Sequence, residues 1–455
     1  MERSDTIAAI STPSGAGAVA VIRISGSDAG RILREHFVPA RKGFPALARD
    51  MSFGRAYAID GSFIDEAIAL FMKGPESFTG EDVAEIQCHG GPAVSRAVLS
   101  TVISAGARSA RPGEFSRRAF INGKMSLLKA ESTLALIEAS TERGRAMASG
   151  LLDGSISSGV YEAMSTVRDL LAKIEAVLDW PDEMADEEAS GAGAADINGA
   201  MEMIRGLIGK ANNSRLLIEG IRVAIIGRPN MGKSSILNRL LGHDRAMVSD
   251  IPGTTRDTVE ETANVEGIPI RFADTAGIGP SGDALVEEGI RRARKAAGSS
   301  SVIVYVAALP EGINPQDAKE ISKLGDKPVI VALNKADLAD DAESAGKTQS
   351  AGIVCVSVSA KTGYGIDRLR SAIARQAEAA SEAEAGGSAC KRWIQCLEGC
   401  LARLADARDA LRNGAHLEAV CLDIRDALFA LGELSGDTAS EDIISMVFDK
   451  FCIGK

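Results

Sequence analysis

The sequence predicts a multidomain protein that combines α/β domains with an all-α domain. Its 455 residues exceed the length over which a single hydrophobic core keeps growing. Short β-rich runs alternate with turns over residues 1–120 and with helical patterns over residues 220–378. Apolar residues at helical spacing follow each of these regions. We therefore expect an N-terminal α/β domain, a helical domain, and a doubly wound α/β domain inserted into the helical one.

The N-terminal α/β domain is predicted from runs rich in Val and Ile. Such residues favour strands, and the Gly and Pro residues between the runs favour turns. The runs occupy residues 6–10, 19–24, 67–71 and 83–88.

The helical domain is predicted from two separate parts of the chain. Apolar residues recur at intervals of three and four over residues 126–180, 197–219 and 391–452. The Ser/Gly/Ala-rich stretch at 189–195 is typical of a loop. Because helices flank the 220–378 region on both sides, we expect residues 121–219 and 379–455 to build one helical domain.

Composition excludes several classes of protein. A chain that is 45% hydrophobic and 25% charged is ordinary for a globular protein. It has no long apolar run and no secretory signal, so we expect a cytoplasmic protein with no membrane partner. The seven cysteines include no CxxC pair, which predicts reduced thiols, with Cys396 and Cys400 in core packing. A net charge of −11 disfavours non-specific adhesion to nucleic acid but leaves room for local basic patches.

A phosphate-binding loop follows the β-branched run at 221–226. Residues Gly227 to Ser234 fit G-x-x-x-x-G-K-[ST] between a strand and a helix, the setting that this motif requires. There the backbone N–H groups cradle phosphate, Lys233 supplies a positive charge, and the Ser234 hydroxyl ligates Mg²⁺. The predicted nucleotide contacts of this loop are Asn230, Met231, Gly232, Lys233, Ser234 and Ser235.

Two further segments carry the residues expected to sense the γ-phosphate. Thr255 would complete the Mg²⁺ shell with Ser234, and Asp274 would support that shell. The N–H of Gly277 would meet the γ-phosphate. The predicted contacts are Ser249, Asp250, Ile251, Pro252, Gly253, Thr254 and Thr255 in the first segment, and Asp274, Thr275, Ala276 and Gly277 in the second.

A guanine-reading motif follows the apolar run before Asn334. Asp337 would accept hydrogen bonds from guanine N1–H and the 2-amino group, donors that adenine lacks at these positions. Asn334 would bracket the base, and a backbone amide in the later Ser-Ala-Lys segment would reach O6. The predicted contacts are Asn334, Lys335, Ala336 and Asp337, followed by Ser359, Ala360 and Lys361. Together the motifs predict a GTP-hydrolysing P-loop domain.

Several short stretches of sequence outside this domain resemble one GTPase family. The matching stretches are residues 5–8, 18–26, 77–82, 89–92, 110–115, 118–120, 122–124 and 451–455. They are similar to the MnmE (TrmE) family of tRNA modification GTPases, and the resemblance extends over essentially the whole chain.

The resemblance implies a task and a set of partners. Members act as homodimers and, in a heterotetramer with the flavoprotein MnmG (GidA), add an aminomethyl-type group to C5 of the wobble uridine of certain tRNAs. The one-carbon unit comes from 5-formyl- or 5,10-methylene-tetrahydrofolate, while FAD belongs to the partner. The N-terminal domain is thus implied to be folate-binding, with contacts from Arg23, Glu85, Lys124 and Lys455.

The family also implies hydrolysis of GTP assisted by K⁺, which supplies the charge of an arginine finger. The implied potassium ligands are Asn230, Ser249, Ile251 and Thr254. A carboxylate after the Asp274 turn would orient the attacking water, but here the chain departs from the family pattern, and an ungapped match places Val286 there. Glu287 is therefore the predicted catalytic carboxylate beside Lys233, and Glu288 is its alternative.

Other interpretations stay open at this stage. An Era-like regulatory GTPase of ribosome assembly would share the motifs, but such proteins carry a KH module that we do not find in the C-terminal region. A folate-dependent one-carbon enzyme with a regulatory GTPase domain is a third. RNA contact by Arg111, Arg117, Arg118 and Lys129 competes with a solvated basic face, and a reactive Cys452 thiol competes with a packed one.

Overall fold

A computed structural model describes residues 5–45, 49–179, 186–243, 261–273, 297–325, 327–339, 353–380 and 389–455. The chain forms two compact units. One combines the chain up to Leu134 with Gly432–Lys455, and the other is Ala135–Leu431.

Strands and helices are numbered along the described chain. The strands are β1 Ile7–Ile10, β2 Val19–Ser25, β3 Phe37–Pro39, β4 Arg49–Tyr57, β5 Phe63–Met72, β6 Val83–His89, β7 Arg108–Ser109, β8 Ile221–Ile226, β9 Glu261–Val265, β10 Ile268–Phe272, β11 Val302–Ala308, β12 Val329–Asn334 and β13 Val354–Ser357. The helices are α1 Ala29–His36, α2 Pro92–Ser104, α3 Glu114–Ile121, α4 Leu127–Glu138, α5 Glu142–Leu152, α6 Ser157–Asp179, α7 Asp186–Glu219, α8 Lys233–His243, α9 Pro315–Ser322, α10 Ile366–Ala380, α11 Ala389–Arg412, α12 Leu417–Ser435 and α13 Glu441–Phe448.

The first unit contains a sheet with the strand order β3-β4-β5-β6-β2-β1-β7. Neighbours are antiparallel except β1 and β7, which are parallel. The four predicted strands are confirmed within β1, β2, β5 and β6. Strand β4 was not predicted, because its buried positions are the small residues Ser52, Gly54 and Ala56, while the larger apolar residues Met51 and Phe53 are exposed. Its sequence therefore lacks the alternation of buried apolar and exposed polar residues that indicates a strand.

Helices α1 and α2 cover one face of this sheet. Ile22 and Ile86 of the sheet share a core with Leu33 of α1 and Val98 of α2. The C-terminal segment belongs to the same unit, because Phe448 and Phe451 share a second cluster with Leu127 and Leu134 of α4.

The helices of the second unit correct one sequence prediction. Residues 189–195 were expected to form a loop, but the backbone there lies within the continuous helix α7. Helix α7 packs along α6 and α11. At Gly193 an added Cβ would already lie 3.3 Å from Leu411 of α11, so small residues let the two helices approach closely. This packing outweighs the helix propensity cost of about 1 kcal/mol per glycine.

The second unit also contains a sheet with the order β13-β12-β11-β8-β10-β9, parallel except for the β9–β10 hairpin. Leu240 of α8 and Ile373 of α10 pack on one face, and Ile321 of α9 packs on the other. The doubly wound architecture is confirmed. The sheet lies in sequence between α7 and α11, which pack against each other, as an inserted domain requires.

No helix in the described ranges is both long enough and apolar enough to cross a membrane.

Candidate nucleotide site and N-terminal site

The phosphate loop runs from the carboxyl end of β8 into α8. Its turn needs left-handed backbone at Asn230, with φ 61°, and at Gly232, with φ 91°. An added Cβ at Gly227 would lie 2.3 Å from the Val306 carbonyl oxygen, so this glycine lets the loop approach β11 closely. Ser234 and Ser235 are exposed in the first turn of α8, where free N–H groups and the helix dipole favour an anion.

Lys233 holds the loop together from inside. Its Nζ donates to the carbonyl oxygens of Gly227 at 2.9 Å and Arg228 at 2.8 Å. Burial lowers the pKa of this ammonium. A cation half-buried among loop carbonyls is suited to meet a phosphate that enters the loop.

Asn334 connects three of the predicted motifs. Its buried Nδ2 donates to the Met231 carbonyl oxygen at 2.8 Å, and its Oδ1 accepts from the Ala360 N–H at 3.0 Å. One side chain therefore joins the phosphate loop, the Asn-Lys-Ala-Asp turn and the Ser-Ala-Lys loop. The first and last of these motifs are more than a hundred residues apart in sequence, and the two hydrogen bonds of Asn334 bring them together.

Asp337 lies at the exposed end of this arrangement. The Ser359 hydroxyl donates to Asp337 Oδ1 at 2.6 Å and accepts from the Thr362 N–H at 3.2 Å. The hydrogen bond from Ser359 lowers the pKa of Asp337, so this carboxylate is ionised at neutral pH. It is positioned to accept hydrogen bonds.

The backbone N–H groups of the Ser-Ala-Lys loop differ in whether they already donate a hydrogen bond. The Ser359 N–H donates to the Tyr364 carbonyl oxygen, and the Ala360 N–H donates to Asn334. The Lys361 N–H finds no acceptor among the described residues. It is the amide of this loop that remains free for a ligand.

An ion-pair network that was not predicted from the sequence anchors the phosphate loop. Arg228 Nε donates to Asp317 Oδ1 at 3.0 Å, and the Tyr305 hydroxyl donates to the same oxygen at 2.8 Å. Asp317 is fully buried and completes a capping box with Asn314 at the start of α9. The Asn-Pro-Gln-Asp sequence of that cap is typical of a helix N-terminus and could have been recognised from the sequence.

Other predicted site residues lie outside the described residues, and their assignments stay predictions. They are Ser249, Asp250, Ile251, Pro252, Gly253, Thr254, Thr255, Asp274, Thr275, Ala276, Gly277, Glu287 and Glu288.

In the first unit, the structure brings several predicted folate contacts together. Arg23 Nε donates to Glu85 Oε1 at 2.8 Å across the paired strands β2 and β6. The Arg23 guanidinium lies 5.5 Å from the ring centroid of Phe78 and 5.8 Å from that of Phe115. The Gly454 carbonyl oxygen accepts from the Arg23 guanidinium at 3.5 Å, which places the backbone next to Lys455 at this pair.

Lys124, Lys455 and Cys452 belong to the same unit. Lys124 is exposed, and its Cε would lie 3.3 Å from a Cβ added at Gly80. No carboxylate in the described chain lies within 4.0 Å of the ammonium of Lys124 or Lys455. Cys452 is exposed rather than packed.

The structure corrects one of the RNA-contact candidates. The Arg118 side chain is only 12% exposed and forms ion pairs with Asp5, Glu81 and Glu114, so its charge is not free to meet phosphate. Arg117 pairs with Glu441 at 2.7 Å. Arg111 and Lys129 are exposed, so their charges face solvent.

Comparison with known proteins covers both units. Residues 6–124 match the family model described as the GTP-binding protein TrmE N-terminus, and residues 127–452 match the MnmE helical domain. A stretch covering 37% of this chain and 58% of the other is 29% identical to Aquifex aeolicus Era in a structure bound to GDP and AlF4⁻, with a TM-score of 0.29.

Full-length relatives are curated as tRNA modification GTPase MnmE. The protein from Symbiobacterium thermophilum is 40% identical over 99% of both chains. The one from a Roseiflexus species is 40% identical over 99% of both chains, and the one from Geobacter sulfurreducens is 38% identical over 99% of both. Because the match is end to end and both family models agree with it, the chain belongs to the MnmE family of tRNA modification GTPases.

Proposed function

We propose that GTP binds this tRNA modification GTPase across the three loops that Asn334 joins. The observation that carries the proposal is the pair of Asn334 hydrogen bonds to Met231 and Ala360. These bonds support the proposal, because the Met231 carbonyl group of the phosphate loop and the Ala360 amide of the Ser-Ala-Lys loop both contact one side chain. The Lys233 ammonium then meets the β- and γ-phosphates.

Guanine selectivity follows from the charge of Asp337 and the free Lys361 N–H. Asp337 accepts from guanine N1–H and the 2-amino group, and the Lys361 N–H donates to O6. Adenine presents the opposite donor and acceptor at N1 and N6, so it would leave both protein groups unpaired.

Hydrolysis is proposed to use Mg²⁺ and K⁺. The exposed Ser234 hydroxyl fits a hard cation, and it would share Mg²⁺ with Thr255. The exposed Asn230 carboxamide at the loop apex would share K⁺ with Ser249, Ile251 and Thr254. When bound, the potassium ion supplies positive charge beside the phosphates. Glu287, with Glu288 as the alternative, orients the attacking water.

The first unit is proposed to bind a tetrahydrofolate derivative in the 5-formyl or 5,10-methylene form. Support comes from the Arg23–Glu85 pair, which offers a donor and an acceptor beside two aromatic rings. The ammonium groups of Lys124 and Lys455, which form no ion pair with a described carboxylate, add positive charge. A pterin edge and a glutamate carboxylate need such a mixture of groups.

The remaining assignments complete this proposal. The homodimer would join the flavoprotein MnmG in a heterotetramer in the cytoplasm and modify C5 of the wobble uridine. We place the domain boundaries at residues 120, 219 and 378. An Era-like regulatory role in ribosome assembly is the competing function, and end-to-end relatedness to tRNA modification GTPases argues against it.

Mass spectrometry of tRNA nucleosides tests the proposed function. Cells lacking this protein should lose the wobble modification, and the wild-type chain should restore it. A Lys233→Ala chain should fail to restore it, because the phosphate loop loses its charge. Lys319→Ala, which changes an exposed lysine of α9, is the matched control and should restore it fully. The proposal would be refuted if cells lacking the protein had the same wobble uridines as wild-type cells.

A further inference from the structure

We infer that Arg239 is a positioning residue for guanine recognition and sets how long a guanine nucleotide stays bound. The inference rests on the proposed function, in which the Ser-Ala-Lys loop meets the base. Arg239 is absent from every motif that predicted the site, and it would not touch the nucleotide itself.

Arg239 joins the helix after the phosphate loop to the base-reading loop. It lies in α8, and its Nε donates to the Ala360 carbonyl oxygen at 2.9 Å while an Nη donates to the Lys361 carbonyl oxygen at 2.7 Å. A planar guanidinium that grips two consecutive carbonyl groups fixes both their position and their orientation. The side chain is half-buried, which protects these bonds from solvent.

The grip on Ala360 controls the direction of one amide. The Ala360 carbonyl and the Lys361 N–H belong to the same planar peptide group, and in a trans peptide they point in opposite directions. Because Arg239 holds that carbonyl, the Lys361 N–H is directed away from α8. This is the loop amide that has no acceptor in the described chain.

A second side chain, that of Asn334, restrains a different peptide group of the loop. Asn334 holds the Ala360 N–H at 3.0 Å, which belongs to the peptide group between Ser359 and Ala360. Asn334 and Arg239 therefore restrain successive peptide planes from two sides. Without Arg239 the second plane is free to rotate, and the donor for guanine O6 loses its fixed direction.

The test measures base recognition and phosphate recognition separately in the full-length chain. Arg239→Met keeps the aliphatic part of the side chain but removes both donors, and Arg239→Lys keeps one charged donor. Asn238→Ala, at the exposed neighbouring position of α8, is the matched control. For each chain we would measure mant-GDP dissociation in a chase with GDP, the affinity for inorganic tripolyphosphate, and the nucleotide-free melting temperature.

We expect mant-GDP to dissociate about tenfold faster from Arg239→Met and at an intermediate rate from Arg239→Lys. Tripolyphosphate affinity and the nucleotide-free melting temperature should match those of Asn238→Ala. Unchanged mant-GDP dissociation would overturn the inference, and so would an equal loss of tripolyphosphate affinity. Equal wild-type affinities for mant-GDP and mant-ADP would overturn the proposed guanine site itself.

Discussion

Among the described positions of the nucleotide site, Gly232 has the least room for a side chain. Its φ of 91° lies in the left-handed region, and an added Cβ would lie 2.2 Å from Asn334 Nδ2. That same nitrogen donates to the Met231 carbonyl oxygen. A methyl group at this position therefore meets the side chain that joins the two ends of the site.

Gly232→Ala should reduce GTP affinity by about a hundredfold, because it strains the loop and displaces Asn334 together. Titration with mant-GTP measures the effect. Gly242→Ala in α8 is the control, since an added Cβ there meets nothing within 4 Å. Equal affinities of the two variants would contradict the proposed role of the Asn334 bridge.

Asp337→Asn should change the base selectivity of the site from guanine to xanthine. The substitution turns an acceptor into a donor, and xanthine carries an oxygen where guanine carries its 2-amino group. GTP affinity should fall by about a hundredfold or more while XTP affinity rises. Competition of both nucleotides against a fluorescent analogue checks this. A variant that still prefers GTP would remove Asp337 from base recognition.

At the scale of elements, the β9–β10 hairpin is fastened to the start of α5. The Thr141 hydroxyl donates to the Gly267 carbonyl oxygen at 2.9 Å, and an Nη of Arg143 donates to the Glu266 carbonyl oxygen at 2.8 Å. Gly267 has a φ of 88°, and an added Cβ would lie 2.1 Å from Arg143 Cδ. The hairpin turn thus needs glycine for its backbone and for its contact.

Gly267→Ala should lower the free energy of unfolding by about 2 kcal/mol or more, through left-handed strain and displacement of Arg143. Gly312→Ala is the control, because its φ of 64° is also left-handed while an added Cβ meets nothing within 4 Å. That control should lose about 1 kcal/mol. Urea denaturation compares them, and equal losses would show that the Arg143 contact contributes nothing.

At the scale of the whole molecule, a network of charges stabilises the first unit. Arg118 pairs with Asp5, Glu81 and Glu114, and Arg108 pairs with Asp5 and Glu114. Hydrogen bonding by Arg108 lowers the pKa of Asp5. Burial works to raise the pKa of Glu114, but the arginines and the Arg111 N–H outweigh it and lower that pKa as well.

These directions predict an acid-dependent loss of stability. A lowered folded-state pKa contributes stability above the ordinary values of 3.8 for Asp and 4.5 for Glu, and this is lost as pH falls through the lowered values. Arg108→Met should therefore lower the melting temperature most at neutral pH. The difference from wild type should shrink toward about pH 3.

Arg145→Met is the control for this pH series, since its exposed pair with Glu142 should contribute little at any pH. Thermal unfolding followed by circular dichroism gives both profiles. A difference between Arg108→Met and wild type that stays constant with pH would show that the ion pairs do not control acid stability.

Short-range patterns in the sequence were sufficient for the nucleotide motifs, the strands that precede them and the family. A phosphate loop needs glycines, a lysine and a serine at fixed spacing between a strand and a helix, so its residues identify it without any distant partner. The sequences of residues 77–82, 110–115 and 451–455 identified the family for the same reason. The inserted doubly wound fold also followed from local periodicity.

Only the tertiary structure decided which distant residues meet. The Asn334 bridge, the Arg239 grip on the Ser-Ala-Lys loop and the Arg228–Asp317 pair each join residues that no local period relates. Burial of Arg118 and the helical conformation at 189–195 were likewise set by packing partners elsewhere in the chain. Local sequence specifies local backbone and motif chemistry, whereas long-range contacts determine which charges are free and which loops are held.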